Sequence, residues 1–385
     1  MKKIVLAILV SCNFYASSQI LSHYSDVSIL TIGPGSNLND SFGHSAIRLK
    51  DYVMNYDIVF DYGRYDFNSP NFFLKFAQGQ LDYQLGMANF KDFFDSYLRQ
   101  GRSIESQTLD LTQQEKQKIF SYLLTNSLPE NRTYRYDFFK DNCANRIPMV
   151  LEESLNDSIS YEYPEEFQLK TFRDLIYECV DKNSWGSFGI DLALGSVIDK
   201  PTSLEEQLFL PKYVHTYFES AQRKDEKKLI KKSEILLEQT PMANERILAN
   251  PMTVLTSFSL ILLVLTFVDW RRQKRFKWLD VMLFLITGLI GVVVLLLWFA
   301  TDHSATAFNY NFLWAFAPNA LMVFAISRTH MPNWLKGYLK FLLLLMILMA
   351  LHAITKVQVF AWALLPFCVA LAFRYIYLLR QFKKA

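Results

Sequence analysis

Residues Arg135–Ile147 read RYDFFKDNCANRI. The stretch holds one of only four cysteines in 385 residues, behind Asp141-Asn142 and ahead of Asn145-Arg146. Asp and Asn are strong helix N-caps, and the apolar spacing in ANRIPMVLEESL predicts a helix here. A cysteine in a helix's first turn meets free N–H groups and the positive end of the helix dipole. Both favour the thiolate, and the same N–H groups can stabilise an oxyanion. Pro148 leaves two variants open: a helix that starts at Pro148, or one that kinks there. The polar flanks argue against a merely structural, buried cysteine.

A nucleophilic thiolate needs a base and a group that orients the base. The candidate base is His44, in GPGSNLNDSFGHSAIRL, residues 33–49. A Gly/Ser/Asn loop there leads through Gly43-His44 into a predicted strand. A histidine at a strand start is held on one side and open on the other. Its near-neutral pKa suits acid–base work. The loop lacks the lysine and the spacing of a phosphate-binding loop. Cys143 and His44 stand 99 residues apart, but such partners need only meet in the fold. The next predicted strand, NYDIVFDYG at 55–63, offers Asp57 and Asp61. Their even spacing puts both on one face, with Asp57 preferred and Asp61 in reserve. Asn142, Asn145 and Arg146 are supporting candidates beside Cys143. His23, His44 and His215 have no metal-ligand spacing, so neither a metal nor any other cofactor is expected.

The formal net charge is +3, which gives no bulk argument for nucleic acid. Residues 1–18 read as a secretory signal, with Lys2-Lys3 before IVLAILV and small residues at Ala16-Ser17-Ser18. The rival is LVSC at 9–12, a lipobox that would lipidate Cys12. Either way the domain at 19–219 is exported. Exported domains use disulfides, so Cys143–Cys179 pairing is the alternative to a free thiol. In this domain KDFFDSYLRQG has helical spacing with a closing glycine. LTQQEKQKIFSYLLTN opens with a Thr112–Glu115 capping box. Residues 220–251, with RKDEKKLIKK, read as a solvated helix or linker.

From 252 to 385 the chain is mostly apolar. Five segments approach bilayer length: Met252–Val268, Leu279–Phe299, Phe308–Ile326, Tyr338–Ile354 and Val359–Leu379. RRQKRFK at 271–277 holds five basic residues, and further Lys and Arg follow the third and fifth segments. Basic loops stay in the cytoplasm. The exported domain is therefore outside, the C-terminus inside, and five crossings lie between.

Histidine first on a strand and cysteine later at a helix reverses papain's order. It resembles the circularly permuted NlpC-type papain-like fold. GHSAIRL, FDYGRYDF, YDFFKDNCANRI and GIDLALGSVIDKP, together with the membrane region, resemble the Lnb family. These are lipoprotein N-acyltransferases of Bacteroides-type bacteria. The pattern departs at Arg146-Ile147-Pro148-Met149, where an Arg-Asp pair is expected after the isoleucine. The resemblance implies an α+β periplasmic domain followed by an all-α bundle of five transmembrane helices in the bacterial inner membrane. It implies acyl transfer from a membrane phospholipid, through a Cys143 thioester, to the α-amine of a diacylated lipoprotein. The residues alone reach a Cys–His acyl-transfer domain tethered to the membrane. A membrane-anchored peptidoglycan endopeptidase with the same chemistry is the second reading. A non-enzymatic receptor on the same fold is the third, against which intact His44 and Cys143 argue.

Overall fold

The computed structural model describes residues 20–155, 159–160, 167–223, 226–240 and 249–382. The signal segment 1–18, Cys12 included, lies outside the described residues.

The exported domain is built on a sheet of seven antiparallel strands, in the order β6-β4-β3-β2-β1-β5-β9. The strands are β1 (Ser25–Ile32), β2 (His44–Asp51), β3 (Tyr56–Arg64), β4 (Asp82–Asn89), β5 (Ile104–Leu109), β6 (Thr133–Arg135) and β9 (Ile230–Leu237). A two-residue pair, β7 (Ile159–Ser160) and β8 (Gln222–Arg223), stands apart. Helices α1 (Phe72–Gln78), α2 (Phe90–Gln100), α3 (Gln113–Ser127), α4 (Arg146–Leu155), α5 (Phe172–Cys179), α6 (Trp185–Ala193), α7 (Leu204–Gln207) and α8 (Pro211–Ser220) fill the connections.

Successive side chains alternate across a strand, and the centre of the sheet is covered on both faces. Ile29, Ile47 and Phe60 pack with α3, α4, α5 and α8 on one face. Leu30, Ala46 and Val59 pack with Phe93 of α2 on the other. This is why SILTI in β1 is an apolar run with little alternation. The Thr112–Glu115 capping box forms as expected, and Gly101, at φ +67°, closes α2.

One boundary differs from the sequence expectation. Residues 220–251 are not simply a helix or linker, because Ile230–Leu237 pairs with β5 as an edge strand. Its alternation is weak and its lysines face solvent, as edge strands tend to carry.

Beyond residue 249 lie α9 (Pro251–Arg272), α10 (Lys277–Phe299), α11 (Asn319–Ile326), α12 (Trp334–Ile354) and α13 (Leu364–Gln381). Four of them, all but α11, are long and apolar enough to cross a bilayer. The third expected segment is discontinuous: a 3-10 turn at Tyr310–Leu313, then the eight-residue α11. It still runs the length of α10. Thr306 Oγ1 donates to Leu297 O, Asn319 Nδ2 to Thr287 Oγ1, Arg275 to Arg328 O, and Lys277 to Thr329. Gly288 and Gly291 make this approach possible. A Cβ on them would fall 2.2 Å from Ala320 N and 1.9 Å from Ala315 O, the close contact that small residues give membrane helices. The third crossing is therefore broken backbone buried against protein, where such backbone is tolerated.

At the basic-loop end, Arg374 of α13 is fully buried between Asp269 of α9 and Asp280 of α10, at 2.7 Å from each. It ties three helices together.

The two parts of the chain are bonded to each other. Asn309 Nδ2 donates to Leu192 O at 2.8 Å, Asn311 Nδ2 to Asp191 O at 2.8 Å, and Gly195 N to Ala305 O at 2.9 Å. Asp302 N donates to Gln78 O at 2.8 Å, and the His303 ring meets Phe76 O at 3.1 Å. Asp302 and His303 thus hold the exported domain against the loop that leaves α10. Asp191 is itself clamped. Buried Arg173 of α5 bonds it and Asp199 at 2.7 Å each.

Candidate active site

β2 begins at His44, so the imidazole stands at the end of the sheet. Gly43 puts it there with φ +79°, and a Cβ on that glycine would fall 2.7 Å from Ile32 O. The strand is antiparallel to β3, with Ile47 opposite Phe60 and Lys50 opposite Asp57. The end of β3, not its start, therefore lies beside His44. Asp61 Oδ2 sits 3.5 Å from His44 Nε2, and Arg64 holds the other carboxylate oxygen at 2.7 Å.

Asp57, the preferred orienting acid, is elsewhere. It makes a two-pronged ion pair with Arg48, 2.7 Å on each prong, and Arg48 lies over the Phe90 ring. Four residues of strand separate it from Asp61, roughly 13 Å at strand rise. Sharing a face is not sharing a position along the strand, and Asp61 is the acid that reaches the histidine.

Cys143 meets the same point from the other side. It lies in the turn just ahead of α4 rather than inside the helix. Asn142 builds that turn. Its Oδ1 accepts from Ala144 N at 2.7 Å and Asn145 N at 3.0 Å, while its Nδ2 donates to Phe138 O and Phe209 O. The N–H groups of Ala144 and Asn145 are thus occupied rather than free for an oxyanion, and Cys143 N–H takes no partner among the described residues. Asn145 Oδ1 accepts from Asn142 N at 3.2 Å. Arg146 pairs with Asp141 and lies 4.2 Å from the Tyr134 ring centre. These are scaffold roles. Pro148 is the third helical residue, where no N–H bond is required. Gly63, at φ +98°, leaves room for Cys143, whose Cβ would lie 3.8 Å from a Cβ on the glycine.

The electrostatics follow from this contact. Burial alone pushes the Cys143 thiol up, but the charge and hydrogen bond of His44, with the Ser45 N–H, outweigh it and bring the thiol below its ordinary value. Burial pushes His44 down, and Cys143, Tyr97 and Asp61 together raise it well above the usual imidazole range. Asp61 is held below the carboxylate range against its own burial, by His44 first and then Arg64. The arrangement favours charge on both the Cys143 thiol and the His44 ring, with the Asp61 carboxylate 3.5 Å from the ring.

Cys179 is not part of it. Both cysteines are free, so the alternative Cys143–Cys179 disulfide is absent. Burial and Glu178 push the Cys179 thiol up to about 11. His215 faces Glu105 and Glu219 at 3.2 and 3.5 Å, away from Cys143. Sequence reasoning missed Arg64, Ser45 and Tyr97. Arg64 stands an odd three residues after Asp61, which strand alternation puts on the opposite face; a register shift between the two lets them pair.

Ser304 Oγ donates 2.7 Å to Asp137, so the Cys143 loop rests on the membrane domain's outer loop. Residues 15–178 match the Lnb N-terminal periplasmic domain, and residues 243–385 match the Lnb transmembrane domain. The chain belongs to the Lnb family. No curated protein and no solved structure is matched. As an Lnb protein it is a multi-pass inner-membrane protein with a periplasmic N-terminal domain, in a family of lipoprotein N-acyltransferases. The Lnb N-terminal match stops inside α5, whereas the folded domain continues through α8 and β9.

Proposed function

We propose that this Lnb chain moves a fatty acyl group from a membrane phospholipid to the α-amine of a diacylglyceryl-cysteine lipoprotein, with Cys143 as nucleophile. The observation that carries the reading is Cys143 packed beside Gly63 at the His44–Asp61 end of the sheet, on a loop bonded to the membrane bundle. The Cys143 thiolate attacks the ester carbonyl carbon. Cys143 N–H is the donor left to stabilise the oxyanion. The carbon–oxygen ester bond breaks, the His44 imidazolium gives its proton to the departing lysophospholipid oxygen, and a thioester remains. Asp61 holds the ring and its charge through this cycle. The lipoprotein amine then attacks the thioester carbonyl, His44 takes its proton, the carbon–sulfur bond breaks, and the thiolate returns. Thioester to amide is downhill. Water is the rival acceptor, which a site against the bilayer disfavours.

The test uses the full chain in detergent or nanodiscs with acyl-labelled phospholipid. Without acceptor, label should accumulate on Cys143 as a base-labile thioester. A diacylated lipopeptide with a free α-amine should discharge it into an amide, and blocking that amine should stop the discharge. Release of free fatty acid at a rate indifferent to the lipopeptide would show a hydrolase instead.

A further inference from the structure

The seven residues of α1, FFLKFAQ, include a single charge, at Lys75. Phe73, Leu74 and Phe76 are 80%, 57% and 54% exposed, and nearby Phe67 is 66% exposed. Rings so bare in water would be a liability. They are not arranged at random: Phe72 is the buried hub, 4.9 Å from Phe67 and 5.8 Å from Tyr65. The helix is fixed at the membrane domain's outer end, since its last turn bonds Asp302 and His303. Just before that loop, α10 ends in exposed Phe299 beside Trp298. Aromatic residues gather where a membrane helix meets the headgroups. The α1 ledge continues that belt onto the exported domain.

The ledge also leads to the nucleophile. It starts three residues after Arg64, which holds Asp61. From it a row of rings runs inward. Tyr65 lies 5.3 Å from Tyr83, and Tyr83 stacks 4.2 Å on Tyr136. Tyr136 leads directly into the Asp137–Asp141 bridge, two residues ahead of Cys143, and burial first, then the charge of Cys143, raises its phenol. The far end of β2 gives the contrast. Its turn exposes Tyr52 and Val53 with no bond to the membrane domain among the described residues.

We propose that the Phe67–Phe76 ledge enters the outer leaflet of the bilayer, and that the ring row Phe72, Tyr65, Tyr83, Tyr136 guides a phospholipid acyl chain to Cys143. Delivery rests on the acyl-transfer reading; insertion does not.

The experiment places the photoreactive residue p-benzoylphenylalanine at Phe73, Phe324 or Tyr52 of the full chain in nanodiscs with labelled phospholipid. Phe324 is a bilayer-facing reference on α11, 78% exposed. The Phe73 position should form lipid adducts near the Phe324 level and about tenfold above Tyr52. Adducts at Phe73 no higher than at Tyr52 overturn insertion, whatever the activity. The double variant Phe73→Ser, Phe76→Ser should lose about tenfold in acylation of Cys143 from bilayer lipid, with alkylation of Cys143 by iodoacetamide unchanged. Undiminished acylation overturns delivery. Loss of alkylation as well overturns it too, since the ledge would then be shaping the site.

Discussion

Asp61 Oδ2 faces His44 Nε2 at 3.5 Å, while Asp57 on the same strand is spent on Arg48. The pair is an orienting contact. Asp61→Asn should lower the rate of Cys143 acylation by about 10²-fold or more, with little change in thermal stability. Asp57→Asn removes a partly exposed pair worth about 0–1 kcal/mol and should leave the rate within about twofold. Thioester formation on intact protein, followed by mass spectrometry, measures both. Equal losses would sink the assignment.

The order in which protons leave sets a pH profile. The Cys143 thiol is depressed chiefly by His44, and His44 is raised by Cys143, so each charged form favours the other. Iodoacetamide alkylation of Cys143 should reach its plateau at a lower pH than alkylation of an ordinary thiol. It should fall as pH drops through the depressed thiol value. In His44→Ala burial is no longer outweighed, and the alkylation midpoint should move above that of an ordinary thiol. Cys179, pushed up to about 11, should stay unmodified at neutral pH. An unchanged midpoint in His44→Ala would contradict the ion pair.

Much of this was readable from the chain, and the failures have physical causes. Capping and alternation gave β2, β3 and α3 because those rules act within a few residues. The Asp57 preference used the period of the strand and ignored the hairpin. A turn near 52–55 already puts residue 44 opposite residue 63, which selects Asp61. Strand β9 was hidden because an edge strand needs little alternation. The broken third crossing was marked by Asn309, Asn311 and Pro318-Asn319 inside an apolar run, since proline and buried amides interrupt helices. Asn142 as a turn builder could not be separated from Asn142 as a helix cap, because both use the same side-chain oxygen.

The broken crossing makes a topological prediction. A reporter active only outside the cytoplasm should work at residue 303 and fail at 274, 330 and 382. Gly291→Leu would drive a side chain into Ala315, whose oxygen lies 1.9 Å from even a Cβ. It should sharply reduce the yield of folded protein in detergent. A reporter active at 382 would mean that the 308–326 segment does not cross.

Arg374 predicts how the bundle fails. Arg374→Met leaves Asp269 buried without the cation that faces it and Asp280 with only Arg275, at 3.6 Å, a loss of about 3–5 kcal/mol. Thermal aggregation in detergent should begin at clearly lower temperature. Adding Asp269→Asn and Asp280→Asn removes the stranded charges and should recover part of the loss. A triple variant no better than the single would show that packing of the arginine stem, not charge, held the helices.

The last prediction concerns the seam between the two parts of the chain. Gly195 follows α6 and touches the outer loop of the membrane domain. A Cβ there would fall 1.9 Å from Ala307 O, and Gly195 N donates to Ala305 O. Neither atom can yield without moving a backbone. Gly195→Val should therefore shift the exported domain off its seat while leaving the His44–Cys143 contact, built wholly within that domain, intact. Iodoacetamide should alkylate Cys143 at the wild-type rate, whereas acylation from bilayer phospholipid should fall by about tenfold or more, as small displacements of reactants do. Gly195→Ala, with the smaller side chain, should fall between. Equal losses in alkylation and acylation would mean that the seam supports the chemistry itself. No loss in either would mean that the seat on the membrane domain is not what brings lipid to Cys143.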